Sequence, residues 1–134
     1  MSVSKVRALL VHGEGEPLGS LNKALHGLKV DADHADTCKE ALRFLRRATE
    51  APDVVFTDTA LPDGSWRELL DAARYLRVPA KIIVVSRTED PWLYLEAMES
   101  GAFDFMIPPF TTADVEYILR YATGGRLAHA AGTA

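Results

Sequence analysis

The sequence predicts an α/β domain built on a doubly wound, five-stranded parallel sheet. Five short apolar segments of strand length alternate along the chain with longer segments that carry helix signals. The third and fourth apolar segments, residues 54–57 and 82–85, are apolar without interruption, which is typical of strands buried on both faces of a parallel sheet. The length of 134 residues, of which 48% are hydrophobic and 25% charged, fits one globular domain.

The five apolar segments predict the positions of the strands. They lie at residues 6–11, 28–32, 54–57, 82–85 and 103–107. The second segment differs from the others because Leu28, Val30 and Ala32 alternate with Lys29 and Asp31. Alternation of this kind predicts a strand with one face toward solvent, and therefore an edge strand.

The segments between the strands predict helices. Each begins with a proline or a residue that caps helices, and it continues with apolar residues at helical spacing. The start signals are Pro17, Thr37 with Glu40, Ser65, Asp90 followed by Pro91, and Thr112; the stop signals are Gly27, Gly101 and the pair Gly124–Gly125. The resulting order, strand then helix repeated five times, predicts right-handed crossovers with helices on both faces of the sheet. We expect the domain to occupy residues 1–123 and a flexible tail, or the start of a linker, to occupy residues 124–134.

The composition excludes several classes of function. The net charge is −4 and no basic stripe is present, so we expect no direct contact with nucleic acid. The one cysteine, Cys38, has no partner for an internal disulfide. No apolar run approaches the roughly 20 residues that a membrane-spanning helix needs. These features predict a cytoplasmic protein that does not bind membranes.

Polar residues at the ends of the two central strands mark the expected site, because ligands of doubly wound sheets bind beyond the carboxyl ends of the strands. Asp58 follows the third apolar segment and Ser86 follows the fourth. A carboxylate beside a hydroxyl would provide a nucleophile and a hydrogen-bond donor for a transferred phosphoryl group. Each residue also has a purely structural interpretation: Asp58 would cap its loop, and Ser86 would bond to its own loop backbone.

Three motifs on these elements resemble the receiver domain of bacterial two-component response regulators. They are PDVVFTD at 52–58 with LPDG at 61–64, KIIVVS at 81–86, and GAFDFMIPPF at 101–110. The resemblance extends over residues 5–122, and the motifs follow one another in the family's order. It implies a flavodoxin-like (βα)5 fold with strand order 2-1-3-4-5.

The resemblance also implies a function, that of a signalling module rather than an enzyme. Asp58 would accept a phosphoryl group from a histidine kinase or phosphotransfer protein, and Ser86 would then bond a phosphoryl oxygen. Mg²⁺ would be held by an acidic pair after the first strand, by Asp58 and by the backbone carbonyl of Ala60. Phe105 would be the switch aromatic. A downstream protein, or a second copy of the chain, would bind the face formed by the fourth helix, the fifth strand and the fifth helix.

The chain departs from the family pattern at two positions of the expected site. His12 and Gly13 stand where the family has its acidic pair, and Pro108 stands where it has a lysine. Neutral histidine is a poor ligand for Mg²⁺, glycine has no side chain, and proline has neither charge nor donor. We therefore expect a weak Mg²⁺ site, and we expect acetyl phosphate with Mg²⁺ to modify Asp58 slowly or not at all.

Nearby residues offer substitutes for the missing groups. Glu14 or Glu16 would supply one carboxylate, so the candidate metal ligands are Asp58, Glu14 and Ala60. Arg87 would supply a cation. The charges of Glu14, Glu16 and Arg87 also fit solvated loops without a function. The family's Lys-Pro bond at this place is usually cis. We therefore expect the corresponding bond between Pro108 and Pro109 to be cis.

Two other functions remain open from the sequence. The first is a phosphorylation-independent adaptor with the same fold. The second is a nucleotide-binding enzyme, suggested by Gly13, Gly15 and Gly19 between the first strand and first helix, although Pro17 removes a backbone donor that such a loop needs.

Four aromatic residues on the last two helices are the candidate binding face. They are Trp92, Tyr94, Tyr117 and Tyr121. Aromatic residues at helical spacing also fit burial in the core.

Overall fold

The sheet of the protein has the predicted architecture. A computed structural model describes residues 6–13, 15 and 17–125. The five parallel strands of the sheet are β1 (Arg7–Val11), β2 (Asp31–Ala35), β3 (Val54–Asp58), β4 (Lys81–Val85) and β5 (Asp104–Met106). They lie in the order β2-β1-β3-β4-β5, which confirms the predicted order 2-1-3-4-5.

Helices cover both faces of this sheet. The five helices are α1 (Leu18–Gly27), α2 (Cys38–Leu45), α3 (Trp66–Tyr75), α4 (Pro91–Glu99) and α5 (Thr112–Ala122). One apolar cluster joins α2, α3 and α4 to one face, and a second joins α1 and α5 to the other. The central strands β3 and β4 are buried on both faces, as their uninterrupted apolar sequences predict. No helix within the described ranges is long and apolar enough to cross a membrane.

The helix caps predicted for α2, α3 and α4 are confirmed. The side chains of Thr37, Ser65 and Asp90 accept hydrogen bonds from backbone N–H groups in the first turns of their helices. For α5 the predicted cap, Thr112, is wrong. Thr111 caps this helix, because Asp114 lies three residues after it and completes a reciprocal capping box: Thr111 Oγ1 accepts from Asp114 N at 3.1 Å, and Thr111 N donates to Asp114 Oδ2 at 2.8 Å.

The edge strand β2 lies three residues later than predicted. Leu28 and Val30, assigned to this strand by their alternation, instead close α1: Leu28 N donates to Ala24 O and Val30 N to Leu25 O. The helix ends at Gly27, as predicted, and the chain then reverses at Lys29, whose φ of 60° lies in the left-handed region. Both apolar side chains are buried against α1, which explains the pattern without a strand. β5 is also shorter than predicted and omits residues 103 and 107.

A short hairpin after β3 is absent from the sequence prediction. Ala60–Leu61 pairs antiparallel with Gly64–Ser65 immediately before α3. Asp63, at its turn, accepts hydrogen bonds from the backbone N–H groups of Cys38, at 2.8 Å, and Lys39, at 3.0 Å. These groups open α2, so the carboxylate of Asp63 fixes the loop after β3 to the start of that helix.

Two arginines connect α4 to α3. Arg67 forms an ion pair with Glu96 and donates to Ser100 Oγ at 3.4 Å. Arg74 Nη1 donates to the backbone carbonyl of Ser100 at 2.7 Å. The middle of α4 and its carboxyl end are therefore both held by side chains of α3.

Candidate functional site

Asp58 is the last residue of β3 and lies at the carboxyl edge of the sheet. Its side chain is only 4% exposed. One carboxylate oxygen, Oδ1, accepts from Thr59 N at 2.8 Å, and the other, Oδ2, accepts from Arg87 Nη2 at 2.6 Å. Both oxygens of the candidate acceptor are therefore engaged, one by backbone and one by a cationic side chain.

Arg87 reaches Asp58 because of the pairing of two central strands. Asp58 stands opposite Val85 in the β3–β4 register, which brings the segment just after β4 beside it. The guanidinium is half exposed, with 52% of the Arg87 side chain accessible. Its partner is buried, so the ion pair joins a desolvated carboxylate to a cation that remains in contact with water.

Ser86 is buried next to this ion pair, but its hydroxyl bonds to its own loop. Ser86 Oγ donates to Thr88 O at 2.6 Å, and Thr88 N donates back to Ser86 Oγ at 3.3 Å. Ser86 N also donates to Met106 O at 2.9 Å, which holds this loop against β5. This arrangement matches the structural interpretation of Ser86. Use of its hydroxyl on a phosphoryl oxygen would require the loop bond to Thr88 to be exchanged.

His12 follows β1 and contacts a second histidine that the sequence analysis did not single out. His12 Nε2 lies 3.4 Å from Nδ1 of His34, and the rings meet edge to face. Burial, followed by the neighbouring His34, lowers the pKa of His12, while Asp58 and Asp36 act in the opposite direction. Burial and His34 therefore favour the neutral form of the imidazole. Its Nδ1 is buried without a hydrogen-bond partner in the described part of the chain.

The donors that the structure describes at this edge do not fit Mg²⁺, the ion that the fold family implies. Mg²⁺ is held in proteins by oxygen atoms, mostly carboxylates. Glu14 and Glu16, the predicted substitutes, lie outside the described residues. His12 supplies nitrogen, and both oxygens of Asp58 are already bonded. Within the described ranges, no group of three or more histidine, cysteine or carboxylate side chains is arranged to hold a metal ion. Ala60 lies in the short hairpin beside Asp58.

A cavity of about 480 Å³ lies beside Arg87, between the start of α1 and the loop after β5. Pro17, Ser20, Arg87, Pro108, Pro109 and Phe110 line it. The peptide bond between Pro108 and Pro109 is cis, as expected. Pro108 contributes apolar surface where the family has a cationic lysine, so Arg87 supplies the positive charge of this cavity lining.

Phe105, the expected switch residue, points into the protein. It lies in the middle of β5 and is 9% exposed. The ring of Tyr94, from α4, contacts its edge with ring centres 5.6 Å apart and planes at 88°. The switch position is therefore covered by α4 in this structure.

The candidate binding face is exposed on α4 and α5. Trp92 is 82% exposed, Tyr117 70% and Tyr121 72%, so the alternative that these rings belong to the core is wrong. Tyr94 is half-exposed because it packs on Phe105. Tyr117 and Tyr121 stack in parallel at 6.3 Å, which gives α5 a flat aromatic surface.

Comparisons with known proteins agree with this geometry. The family model described as "Response regulator receiver domain" matches residues 9–120. The response regulator protein PilR of Pseudomonas aeruginosa is 33% identical over 109 residues, which are 80% of this chain and 24% of that protein. The KDP operon transcriptional regulatory protein KdpE of Escherichia coli is 32% identical over 115 residues, which are 85% of this chain and 49% of that protein. The chain thus spans half or less of these two relatives.

Solved structures share the fold. A response regulator receiver domain protein from Clostridium thermocellum superposes with a TM-score of 0.77 at 23% identity, over 89% of this chain and 94% of that one. A receiver domain protein from Methanospirillum hungatei gives a TM-score of 0.75 at 25% identity, over 91% and 97%. The Gly13, Gly15 and Gly19 pattern accordingly opens α1 of a receiver fold and not of a dinucleotide-binding one. The chain belongs to the response regulator receiver domain family.

Proposed function

We propose that this chain is the receiver module of a two-component phosphorelay, in which Asp58 takes a phosphoryl group from the phosphohistidine of a histidine kinase or phosphotransfer protein. The observation that carries this proposal is the buried carboxylate of Asp58 at the end of β3, with a guanidinium 2.6 Å from its Oδ2. A carboxylate nucleophile and a cation that can bind phosphoryl oxygens are the two groups that this transfer needs.

In the proposed transfer, one oxygen of Asp58 attacks the phosphorus as the phosphorus–nitrogen bond of the donor breaks. The donor's imidazole nitrogen leaves with the bonding electron pair, and an acyl phosphate remains on Asp58. Oδ2 is bonded to Arg87, so attack through this oxygen requires the guanidinium to move from the carboxylate toward the phosphoryl oxygens. Arg87 would then offset the negative charge on the phosphoryl oxygens. The family's lysine would do this from the loop after β5, but Pro108 stands in its place.

This geometry supports slow modification by small donors. Arg87 covers one carboxylate oxygen, and the donors that the structure describes at this edge do not fit Mg²⁺. Incubation with acetyl phosphate and Mg²⁺ should add one phosphoryl group slowly, as measured by intact mass. Asp58→Ala should add none. Rapid, stoichiometric incorporation, or a fast beryllofluoride-induced shift of amide signals that Asp58→Asn abolishes, would contradict the slow reaction.

A phosphorylation-independent adaptor is the second candidate function. It is favoured by the Arg87–Asp58 ion pair, which already neutralises the acceptor, and by Tyr94, which already covers Phe105. An adaptor should show no mass increase with any phosphodonor, and Asp58→Ala should leave its partner binding unchanged. A partner whose affinity changes only after phosphorylation would exclude this alternative.

The output surface in this proposal is the α4–β5–α5 face. Its exposed rings, Trp92, Tyr117 and Tyr121, are the kind of residues that anchor protein interfaces. The partner is a downstream protein, and a second copy of the chain is a further candidate that sedimentation of Trp92→Ser against the unmodified chain would test. We assign the module to residues 1–123, since α5 ends at Ala122, and the start of a linker or tail to residues 124–134. Its proposed place of action is the cytoplasm.

A further inference from the structure

Four potential metal-binding side chains lie at one edge of the sheet, where the family's acidic pair is absent. They belong to His12, His34, Asp36 and Asp58. In the strand register, Leu10 stands opposite His34 and Val11 opposite both Ala35 and Thr57. His12 continues this pairing, because His12 N donates to Ala35 O at 2.9 Å.

Side-chain alternation then places the four residues on one face. Successive side chains of a strand point to opposite faces, so His12 shares its face with Leu10 and therefore with His34. Continuing the register puts Asp36 on one side of His12 and Asp58 on the other. The electrostatic influence of both carboxylates on His12 agrees with this placement.

The two ring nitrogens are at hydrogen-bond distance, and the same separation suits shared binding of one ion. His12 Nε2 and His34 Nδ1 are 3.4 Å apart. Two nitrogens that bind one zinc ion at about 2.0–2.1 Å in tetrahedral geometry are themselves about 3.3–3.4 Å apart. His34 lies on the edge strand and is exposed, so small rotations of its ring toward an ion between the two nitrogens meet little packing resistance.

We propose that His12 and His34 bind one divalent transition-metal ion of the Zn²⁺ class through His12 Nε2 and His34 Nδ1. Imidazole nitrogen favours Zn²⁺, Cu²⁺ and Ni²⁺, whereas Mg²⁺ requires oxygen donors. Replacement of the acidic pair thus changes which metal this edge of the sheet selects. The proposal is independent of whether Asp58 is phosphorylated.

Water completes the coordination in this proposal. Within the described ranges, no third side chain joins the two histidines at coordinating distance. Metal-bound waters then donate to the exposed carboxylate of Asp36, which the strand register places beside His12. A site with two protein nitrogens binds more weakly than a closed structural zinc site with four protein ligands.

Titration of the full chain with ZnCl₂ by calorimetry tests the site. The unmodified chain should bind one Zn²⁺, and His12→Gln and His34→Gln should each weaken this binding at least about tenfold, the loss usual for removing a group that supports a metal. MgCl₂ should produce no heat of binding. His26→Gln is the matched control, because His26 is an exposed histidine near the carboxyl end of α1 and not part of the proposed pair. This variant should bind Zn²⁺ as the unmodified chain does.

Ring-nitrogen NMR keeps the test independent of folding. In the unmodified chain, Zn²⁺ should shift the Nε2 signal of His12 and the Nδ1 signal of His34 together, at one equivalent. Circular dichroism without metal checks that each variant remains folded, and the exposed His34 makes its variant the more tolerant of the two. Zn²⁺ binding that both substitutions leave unchanged, or binding that His26→Gln alone removes, would overturn the proposal, as would no binding at millimolar Zn²⁺.

Discussion

Asp58 precedes the short hairpin and Asp63 lies at its turn. Both carboxylates accept two hydrogen bonds, but from different kinds of partner. Asp63 is exposed and is held by two backbone N–H groups at the start of α2. Asp58 is buried and is held by one backbone N–H and by the half-exposed side chain of Arg87. Backbone donors of a helix cannot leave without unfolding a turn, whereas a guanidinium in contact with water can. Asp58 therefore has a partner, Arg87, that can be displaced, and Asp58 is the carboxylate to which we assign a chemical role.

Arg87→Ala should lower the free energy of unfolding more than the other changes proposed below, because it leaves the buried carboxylate of Asp58 without its cation. Removing one partner of a fully buried pair costs about 3–5 kcal/mol, and the exposure of Arg87 reduces this to about 1–2 kcal/mol of unfolding free energy. Urea denaturation would measure it.

Asp58→Asn in the Arg87→Ala background is the control for this prediction. The amide removes the unpaired charge, so it should restore part of the lost stability. An Arg87→Ala variant as stable as the unmodified chain would show that Asp58 does not depend on the guanidinium.

Thr111→Ala tests the contribution of a side chain that accepts from backbone N–H groups at the start of another helix, α5. Loss of the side-chain cap of α5 should cost about 1 kcal/mol of unfolding free energy. Thr112→Ala, one residue later, should cost much less, because Thr112 is the first residue inside the helix and not its cap. Equal losses in the two variants, measured by thermal denaturation, would contradict the capping box seen here.

Asp63→Ala should change how stability depends on pH. The N–H groups of Cys38 and then Lys39 lower the pKa of Asp63 from its ordinary value of 3.8. The unfolded chain therefore binds the proton more readily, so this contribution to stability is fully present above pH 3.8 and is lost as pH falls through the lower, folded pKa. The stability difference between the unmodified chain and Asp63→Ala should accordingly shrink on acidification. A difference that stays constant from pH 7 to below the folded pKa would show that the charge is not involved.

Salt should produce the smallest effect and should separate the two carboxylates. Raising ionic strength shortens the screening length from about 10 Å at 0.1 M to about 3 Å at 1 M. The coupling energy of Arg87 with Asp58, from a double-mutant cycle, should fall slightly, since Arg87 is half exposed. The loss caused by Asp63→Ala should change less, because its partners are uncharged N–H groups. A salt response that is larger at Asp63 would reverse the comparison.

Local sequence patterns predicted most of the fold and the position of the acceptor. Thr37, Ser65 and Asp90 cap helices through contacts within four residues, so their sequences alone contain the necessary information. The shift of β2 was not predictable in this way, because Leu28 and Val30 alternate equally well in a strand and in a turn that closes on α1. The register between strands decides that case.

The site was harder to predict than the fold for the same reason. Asp58 and Arg87 were both identified as candidates, but their ion pair depends on the β3–β4 register. His34 was missed because its neighbour is His12, 22 positions away along the chain. Its only signal in the sequence is a histidine near the end of the edge strand.

The attachment of α4 to α3 by Arg67 and Arg74 has a mechanical consequence. A helix bonded at its middle and at its carboxyl end to a neighbour is expected to shift together with that neighbour. A displacement of α4 would then also displace α3. The hairpin before α3, whose turn Asp63 bonds to the start of α2, would move with it. Because α4 is held to α3 at two places, we expect its response to be a joint displacement of the two helices and not an independent tilt of α4.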